Sequence, residues 1–376
     1  MMLINGLMFK LNARANLMSR LNSPANAKRV LIMAAGTGGH VYPALATAAI
    51  LQKGDWQVEW LGTGRGIEAR LVPEAGFKLN SIDVVGLRGK GMSSLLLAPW
   101  RLCKSLLQSV RVIRRFKPHC VLGMGGFVAG PGGLATKLLG IPLILHEQNA
   151  IPGLTNRLLR PFANRTLQAF AGSFSDGQAT TVGNPLRSNI TEHKSEHDGL
   201  RVLIVGGSLG ALALNKLVPL AMASIAANER PQIWHQTGPK HHQVTQAGYD
   251  KANVVAKVEA YIDDMGLAYA WADLVICRAG ALTVSELAGA GVASILVPYP
   301  HAVDDHQTAN ATVLVNAGAA ILLPQAKLSP ATLSENIKAL QSHPTTLDKM
   351  ATAALTCAAP KAAYTVAQHC MEIARG

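Results

Sequence analysis

Cysteine is sparse and without pattern in this 376-residue sequence: Cys103, Cys120, Cys277, Cys357 and Cys370 are all of it, with no C-x-x-C. That absence excludes a disulfide framework and a cysteine-based zinc site, and it points to a reducing compartment. Aromatic residues make up only 5%, which suits layered α/β packing better than a β-sandwich. No run of about 20 apolar residues occurs, so no membrane-spanning helix is expected. Residues 1–28 also lack the continuous apolar stretch of a secretory signal. They read as a basic leader, either an extension without fixed structure or a helix that touches a membrane surface.

Acid is missing from one long stretch. Between Val84 and His146 there is no Asp or Glu, while Arg88, Lys90, Arg101, Lys104, Arg111, Arg114, Arg115, Lys117 and Lys137 are present. The net charge of +13 is therefore lopsided: residues 1–186 hold 21 Lys/Arg against 7 Asp/Glu, and the remainder 14 against 15. Such a field attracts a polyanion, either nucleic acid or an anionic membrane surface. Few aromatics interleave with the basic residues, which disfavours a stacking platform for nucleic acid.

What is present points to two domains, since the length exceeds one ordinary core. An internal echo supports this. Arg29-Val30-Leu31-Ile32 runs into a glycine turn, and the same four residues return at Arg201-Val202-Leu203-Ile204 before a second one. Each is a β-branched run, a glycine turn and an Ala/Leu-rich helical stretch, which is how a parallel α/β domain opens. The fold class expected is α/β, with two doubly wound Rossmann-like domains facing across a cleft. Further buried strands are expected at 58–61, 119–123, 141–146, 233–237, 274–277 and 293–298, with right-handed helical crossovers between them. The polar, turn-rich segment 172–199 reads as the inter-domain linker.

Glycine clusters fall where such folds bind ligands. Gly36-Thr37-Gly38-Gly39-His40 follows the first strand, and its N–H groups suit an anion. It has neither the spacing of a dinucleotide fingerprint nor a P-loop lysine. His40 at its mouth is either structural or a general base. Residues 123–133, with Gly125, Gly126, Gly132 and Gly133, hold too many glycines for a helix or a central strand. They read as a fixed turn and a second anion cradle. Glu147, the single carboxylate between Asp83 and Asp176, either pairs with an arginine or assists at a sugar. In the second half, Ser208 sits among glycines and suits a phosphate oxygen. The stretch Ala281 to Ala288 reads as a helix whose N-terminus points at a diphosphate. Glu286, about two turns in, can take two hydroxyls at once, as a ribose would need. Asp304-Asp305 is weak support for a metal.

Taken together, GTGGHVYPALA at 36–46, GMGGFVAGPGG at 123–133, HEQNAIPGLTN at 146–156, GNPLR at 183–187, GGSLGALALN at 206–215, YIDDM at 261–265, RAGALTVSELAGAG at 278–291 and DDHQTANA at 304–311 closely resemble the MurG family. Those transferases move N-acetylglucosamine from UDP-N-acetylglucosamine onto lipid I to make lipid II in peptidoglycan synthesis. The resemblance covers roughly residues 29–376. It implies the GT-B arrangement: an acceptor and membrane-facing domain over 29–184, a donor domain over 185–359, and a C-terminal helix from about 360 crossing back.

By the same resemblance, Thr37, Gly38, Gly39 and Asn149 approach the transferred sugar, and Gln307 binds its hydroxyls. Arg187 and Ser208 meet the diphosphate, and Ile262 presents backbone to uracil. Ala281, Leu282, Thr283, Val284, Ser285 and Glu286 hold diphosphate and ribose. His306 departs from the glutamine of many relatives. The implied setting is peripheral, on the cytoplasmic face of the inner membrane, beside cell-wall synthesis or division proteins, with no cofactor or metal. His40 is the preferred base, with Glu147 as alternative or helper. A UDP-sugar epimerase shares this plan and is the rival among enzymes.

Overall fold

A computed structural model describes residues 27–84, 98–192, 197–207 and 209–375. The basic leader up to Asn26, the segment from Val85 to Leu97 that holds Leu87-Arg88-Gly89-Lys90, and Ser208 lie outside the described residues.

The first sheet comprises β1 (Arg29–Met33), β2 (Gln57–Gly62), β3 (Lys78–Ser81), β4 (Cys120–Gly123), β5 (Leu143–Glu147), β6 (Arg165–Gln168) and β7 (Thr180–Thr181). Its order is β3-β2-β1-β4-β5-β6-β7. The second comprises β8 (Arg201–Val205), β9 (Gln232–Gln236), β10 (Lys257–Glu259), β11 (Leu274–Cys277), β12 (Ala293–Leu296) and β13 (Ala320–Leu322), in the order β10-β9-β8-β11-β12-β13. Every pairing is parallel. The repeated tetrapeptide opens each sheet as its central strand, so the echo marks two doubly wound α/β domains.

Why these strands are apolar throughout follows from helices on both faces. Val30 and Ile32 face one buried cluster while Leu31 and Met33 face another. Val202 and Ile204 likewise oppose Leu203 and Val205. In each sheet, strand order reverses beside the central strand, between β1 and β4 and between β8 and β11. Ligands of doubly wound folds bind outside the carboxyl ends of the strands at that reversal.

Two local readings are corrected. The glycine-rich segment does not stay a turn, because helix Ala129–Leu138 takes in Gly130, Gly132 and Gly133. A Cβ on Gly132 would strike Met33, and one on Gly133 would sit 2.6 Å from Leu159 Cδ1. Close packing of this helix onto the sheet outweighs the poor helix propensity of glycine. Second, the stretch expected as linker contains β7, which pairs with β6.

The last helix, Ala362–Ile373, packs on the first sheet's side: Val366, Ala367 and Cys370 join the cluster of Val30 and Ile32. Arg165 meets Glu372 at 2.6 Å, and Lys28 Nζ donates to the Ala374 carbonyl at 3.2 Å.

Candidate functional site

The first glycine loop is built from behind. Gly36 adopts φ +99°, a conformation that needs glycine, and its N–H donates to Glu68 Oε2 at 3.1 Å. Glu68 is fully buried and also accepts from the N–H and hydroxyl of Thr63, at 3.1 and 2.6 Å. Thr37 is exposed, and Gly38 and Gly39 are half-buried. Helix Gly38–Lys53 begins there with neither a side-chain cap nor an acid in its first turn. A helix start left without such partners favours an anion.

His40 is half-buried on the first turn. The second glycine loop lies against its ring: a Cβ on Gly125 would come within 2.9 Å of His40 Cε1 and Nδ1. Gly126, at φ +82°, is packed so tightly that a Cβ would strike the Ala35 carbonyl. Gly125 is thus buried against His40, and Gly126 is half-buried against Ala35. Gly132 and Gly133 leave the expected anion cradle, because they are buried within a helix where the Gly132 N–H already bonds the Val128 carbonyl.

Beyond β5, His40 Nδ1 hydrogen-bonds Gln148 Oε1 at 2.8 Å. Glu147 is 2% exposed and takes four donors: Asn149 N–H and Nδ2 on Oε1, Gly153 N–H and Asn156 Nδ2 on Oε2. This corrects the expectation of a second base or of an arginine partner. With each oxygen accepting two bonds inside the protein, Glu147 shapes its own loop and has no lone pair left for a substrate proton.

The second domain meets this arrangement through a chain of polar contacts. Arg187 Nη2 donates to Glu286 Oε1 at 2.8 Å, and the Tyr269 hydroxyl donates to Glu286 Oε2 at 3.1 Å. The Arg187 guanidinium also lies 4.8 Å from the ring centroid of Tyr42, on the first domain's helix. Tyr42 and Tyr261 bond through their hydroxyls at 2.9 Å. Burial, and then the Tyr261 hydroxyl, pushes the Tyr42 phenol up to about 12, so it stays protonated at neutral pH. Gly38 touches Tyr42, with a would-be Cβ 3.1 Å from the ring. Gly38, Tyr42, Arg187 and Glu286 therefore form one wall.

Other links run beside it. Asn184 Nδ2 donates to Ser285 Oγ at 2.9 Å and to the Gln148 carbonyl at 3.1 Å. Asn310 Nδ2 donates to Asn149 Oδ1 at 3.3 Å, and its Oδ1 accepts the Ala150 N–H at 2.8 Å. Helix Ala281–Ala290 starts at Gly280, also without a side-chain cap or an acid in its first turn. Ala281, Val284 and Glu286 are buried; Leu282, Thr283 and Ser285 are half-buried. Ile262 buries its side chain, leaving backbone as what it can present. Gln307 accepts the Tyr299 N–H at 2.8 Å. Ser208 lies outside the described residues.

Sequence reading missed Glu68, Tyr42, Gln148, Asn184, Tyr269 and Asn310. All but Glu68 and Tyr269 sit inside the quoted motifs, yet their partners are remote in sequence. A surface cavity of about 810 Å³ lies elsewhere, beside β6 and the last helix. Its arginines 157, 160 and 165 each pair with an acid, which leaves it no unpaired arginine for an anion.

Two Rossmann-like domains meeting through Tyr42 and Arg187, Gln148 and Asn184, and Asn149 and Asn310 give the GT-B plan. Residues 30–168 match the glycosyltransferase family 28 N-terminal domain and residues 201–368 the glycosyltransferase family 28 C-terminal domain. The chain belongs to glycosyltransferase family 28.

It is 53% identical over 352 residues to the UDP-N-acetylglucosamine--N-acetylmuramyl-(pentapeptide) pyrophosphoryl-undecaprenol N-acetylglucosamine transferase of Azotobacter vinelandii, covering 92% of this chain and 99% of that one. The Stutzerimonas stutzeri protein of the same name is 53% identical over 355 residues, covering 93% and 100%. Among solved structures, Acinetobacter baumannii MurG superimposes with TM-score 0.79 at 41% identity, covering 92% and 99%. A UDP-GlcNAc 2-epimerase from Neisseria meningitidis gives TM-score 0.65 at 12% identity over 92% of this chain and all of that one. That last likeness is one of fold alone.

Proposed function

We propose that this chain transfers N-acetylglucosamine from UDP-N-acetylglucosamine to the C4 hydroxyl of lipid I, forming lipid II in peptidoglycan biosynthesis. The observation that supports this reading is the wall joining Gly38 to Glu286 through Tyr42 and Arg187, which brings the turn that carries His40 beside the helix that carries Glu286. The family resemblance in sequence supplies the substrates.

The reaction is a single in-line displacement. His40 takes the proton of the acceptor hydroxyl as its oxygen bonds the anomeric carbon from the face opposite UDP, and the bond to the diphosphate oxygen breaks. The configuration inverts from α to β. Charge developing on UDP is met by the start of helix Ala281–Ala290 and by Arg187. Arg187 Nε is buried without a hydrogen-bond partner, a donor that a diphosphate oxygen would satisfy. By the sequence resemblance, Ser208 is assigned to the same phosphates. Thr37, Gly38, Gly39, Asn149 and Gln307 surround the transferred sugar, and Ile262 offers backbone to uracil. Gly125 and Gly126 approach the acceptor diphosphate. Incubated with radiolabelled UDP-N-acetylglucosamine and a lipid I analogue, the protein is expected to move label into the lipid phase. Free sugar nucleotide as the sole product would favour an epimerase instead.

The acceptor lives in a bilayer, and the chain is read as peripheral on the cytoplasmic face of the inner membrane. No helix among the described residues is long and apolar enough to cross one. Helix Ala98–Phe116 carries Trp100 and Leu107 at 73% and 66% exposure among Arg101, Lys104, Arg111 and Arg114, the mix that rests on anionic lipid. Cosedimentation with phosphatidylglycerol vesicles should fall with added salt and drop about tenfold for the double substitution Trp100→Glu and Leu107→Glu. Salt-independent binding, unchanged in that variant, would sink this placement.

A further inference from the structure

We infer that His146 and Gln148 form a tautomer lock, which holds His40 with its proton on Nδ1 and its Nε2 lone pair directed to the acceptor hydroxyl. This rests on the reading of His40 as base, and it assigns His146 and Gln148 as positioning residues.

The direction of every bond follows from two carbonyl oxygens, which can only accept. His146 Nε2 lies 2.9 Å from the Gly183 carbonyl, so that nitrogen carries the proton. His146 is fully buried, and burial lowers its pKa to about 4, so at neutral pH its other nitrogen, Nδ1, is a bare acceptor. Gln148 Nε2 sits 3.0 Å from that Nδ1 and 3.1 Å from the His146 carbonyl, so it donates to both. Asn156 Nδ2 donates to the same carbonyl at 3.2 Å. Both N–H bonds of the Gln148 amide are thereby used, and its Oε1 is what faces His40. An oxygen facing His40 Nδ1 at 2.8 Å requires the proton there. In a neutral imidazole the remaining nitrogen, Nε2, then holds the lone pair.

The opposite sense fails at both ends. Turning the Gln148 amide over would set its oxygen against the His146 carbonyl. It would also require a second proton on His146, an imidazolium in a site without solvent. The far end of the relay is itself fixed, because Gly183 has φ +82° and a Cβ there would strike Ala359. The groups facing the two rings are few. Gly125 backbone lies on His40, Gln148 stands between the rings, and Glu147, next to His146 in sequence, is engaged by Asn149, Gly153 and Asn156.

The test uses the full chain labelled with ¹⁵N-histidine and long-range ¹H–¹⁵N spectra at pH 7.5, with His40 identified by its loss in His40→Gln. Wild type is expected to show His40 protonated on Nδ1. In Gln148→Leu the Nε2–H form should appear, and kcat should fall at least about tenfold while the KM for UDP-N-acetylglucosamine stays within twofold. Gln148→Glu keeps an oxygen facing Nδ1 as the neutral acid, whose O–H takes over the donation to His146 Nδ1, so the tautomer should persist there as well. An Nε2–H tautomer in wild type, or an unchanged tautomer in folded Gln148→Leu, would overturn the lock. Should Gln148→Leu fail to fold, the wild-type spectrum decides alone: an Nε2–H tautomer on His40 overturns the lock. Full turnover in His40→Ala alongside an Nδ1–H tautomer in wild type would reject the base and leave the lock intact.

Discussion

Replacing His40 with alanine is expected to lower kcat about 10²- to 10⁴-fold, the range that a positioned general base supplies, while the affinity for UDP changes less than twofold. The asymmetry comes from where the side chain sits. His40 touches Gln148 and the Gly125 backbone, whereas the residues assigned to UDP lie on Arg187 and the helix Ala281–Ala290. The substitution also leaves Gln148 Oε1 without its donor, which costs stability of about 1–2 kcal/mol. Initial rates and calorimetric titration with UDP separate the effects. Turnover within a factor of three of wild type would remove His40 from the base role.

Glu286→Ala should show the opposite pattern, with affinity for UDP weakened about 100-fold or more and a large loss of stability. Two hydrogen bonds to ribose hydroxyls disappear, each worth roughly 1.5 kcal/mol when the acceptor is charged. The half-buried Arg187 guanidinium and the buried Tyr269 hydroxyl also lose their partner. Breaking a buried ion pair from one side typically costs about 3–5 kcal/mol. Arg187 keeps 22% of its side chain exposed, so the lower end applies. Adding Arg187→Met should recover much of the stability and none of the UDP affinity, a non-additivity that reports the pair itself. Retained UDP binding in folded Glu286→Ala would sink its assignment to the ribose.

The plan of two sheets was legible because each opens on the same four residues and because strands buried on both faces need continuous apolar runs. The strands that sequence reading passed over are short and at or near sheet edges: β3 reads KLNS, β6 RTLQ, β7 TT, β10 KVE and β13 AIL. None is long enough to carry a period, and their pairing is decided by neighbours far along the chain. The segment 123–133 misled for a related reason. Its glycine content is a local signal against a helix, but the close approach to Met33, Leu61 and Leu159 that those glycines permit is visible only in three dimensions. Glu147 stood out in sequence as the one acid in a basic stretch. Its surroundings turned out to be amides, so the feature that drew attention to it does not describe its role. His40 was legible as a candidate; the partners that orient it were not.

One consequence of the path between the sheets remains. The chain crosses from one domain to the other twice, after β7 and again before Ala362, and these two crossings press together at Gly183 and Ala359. Neither crossing can thicken there without pushing the other aside, since a side chain on Gly183 would collide with Ala359. The His40 relay ends on the carbonyl of Gly183, so the proposed base is tied through His146 to the place where both crossings meet.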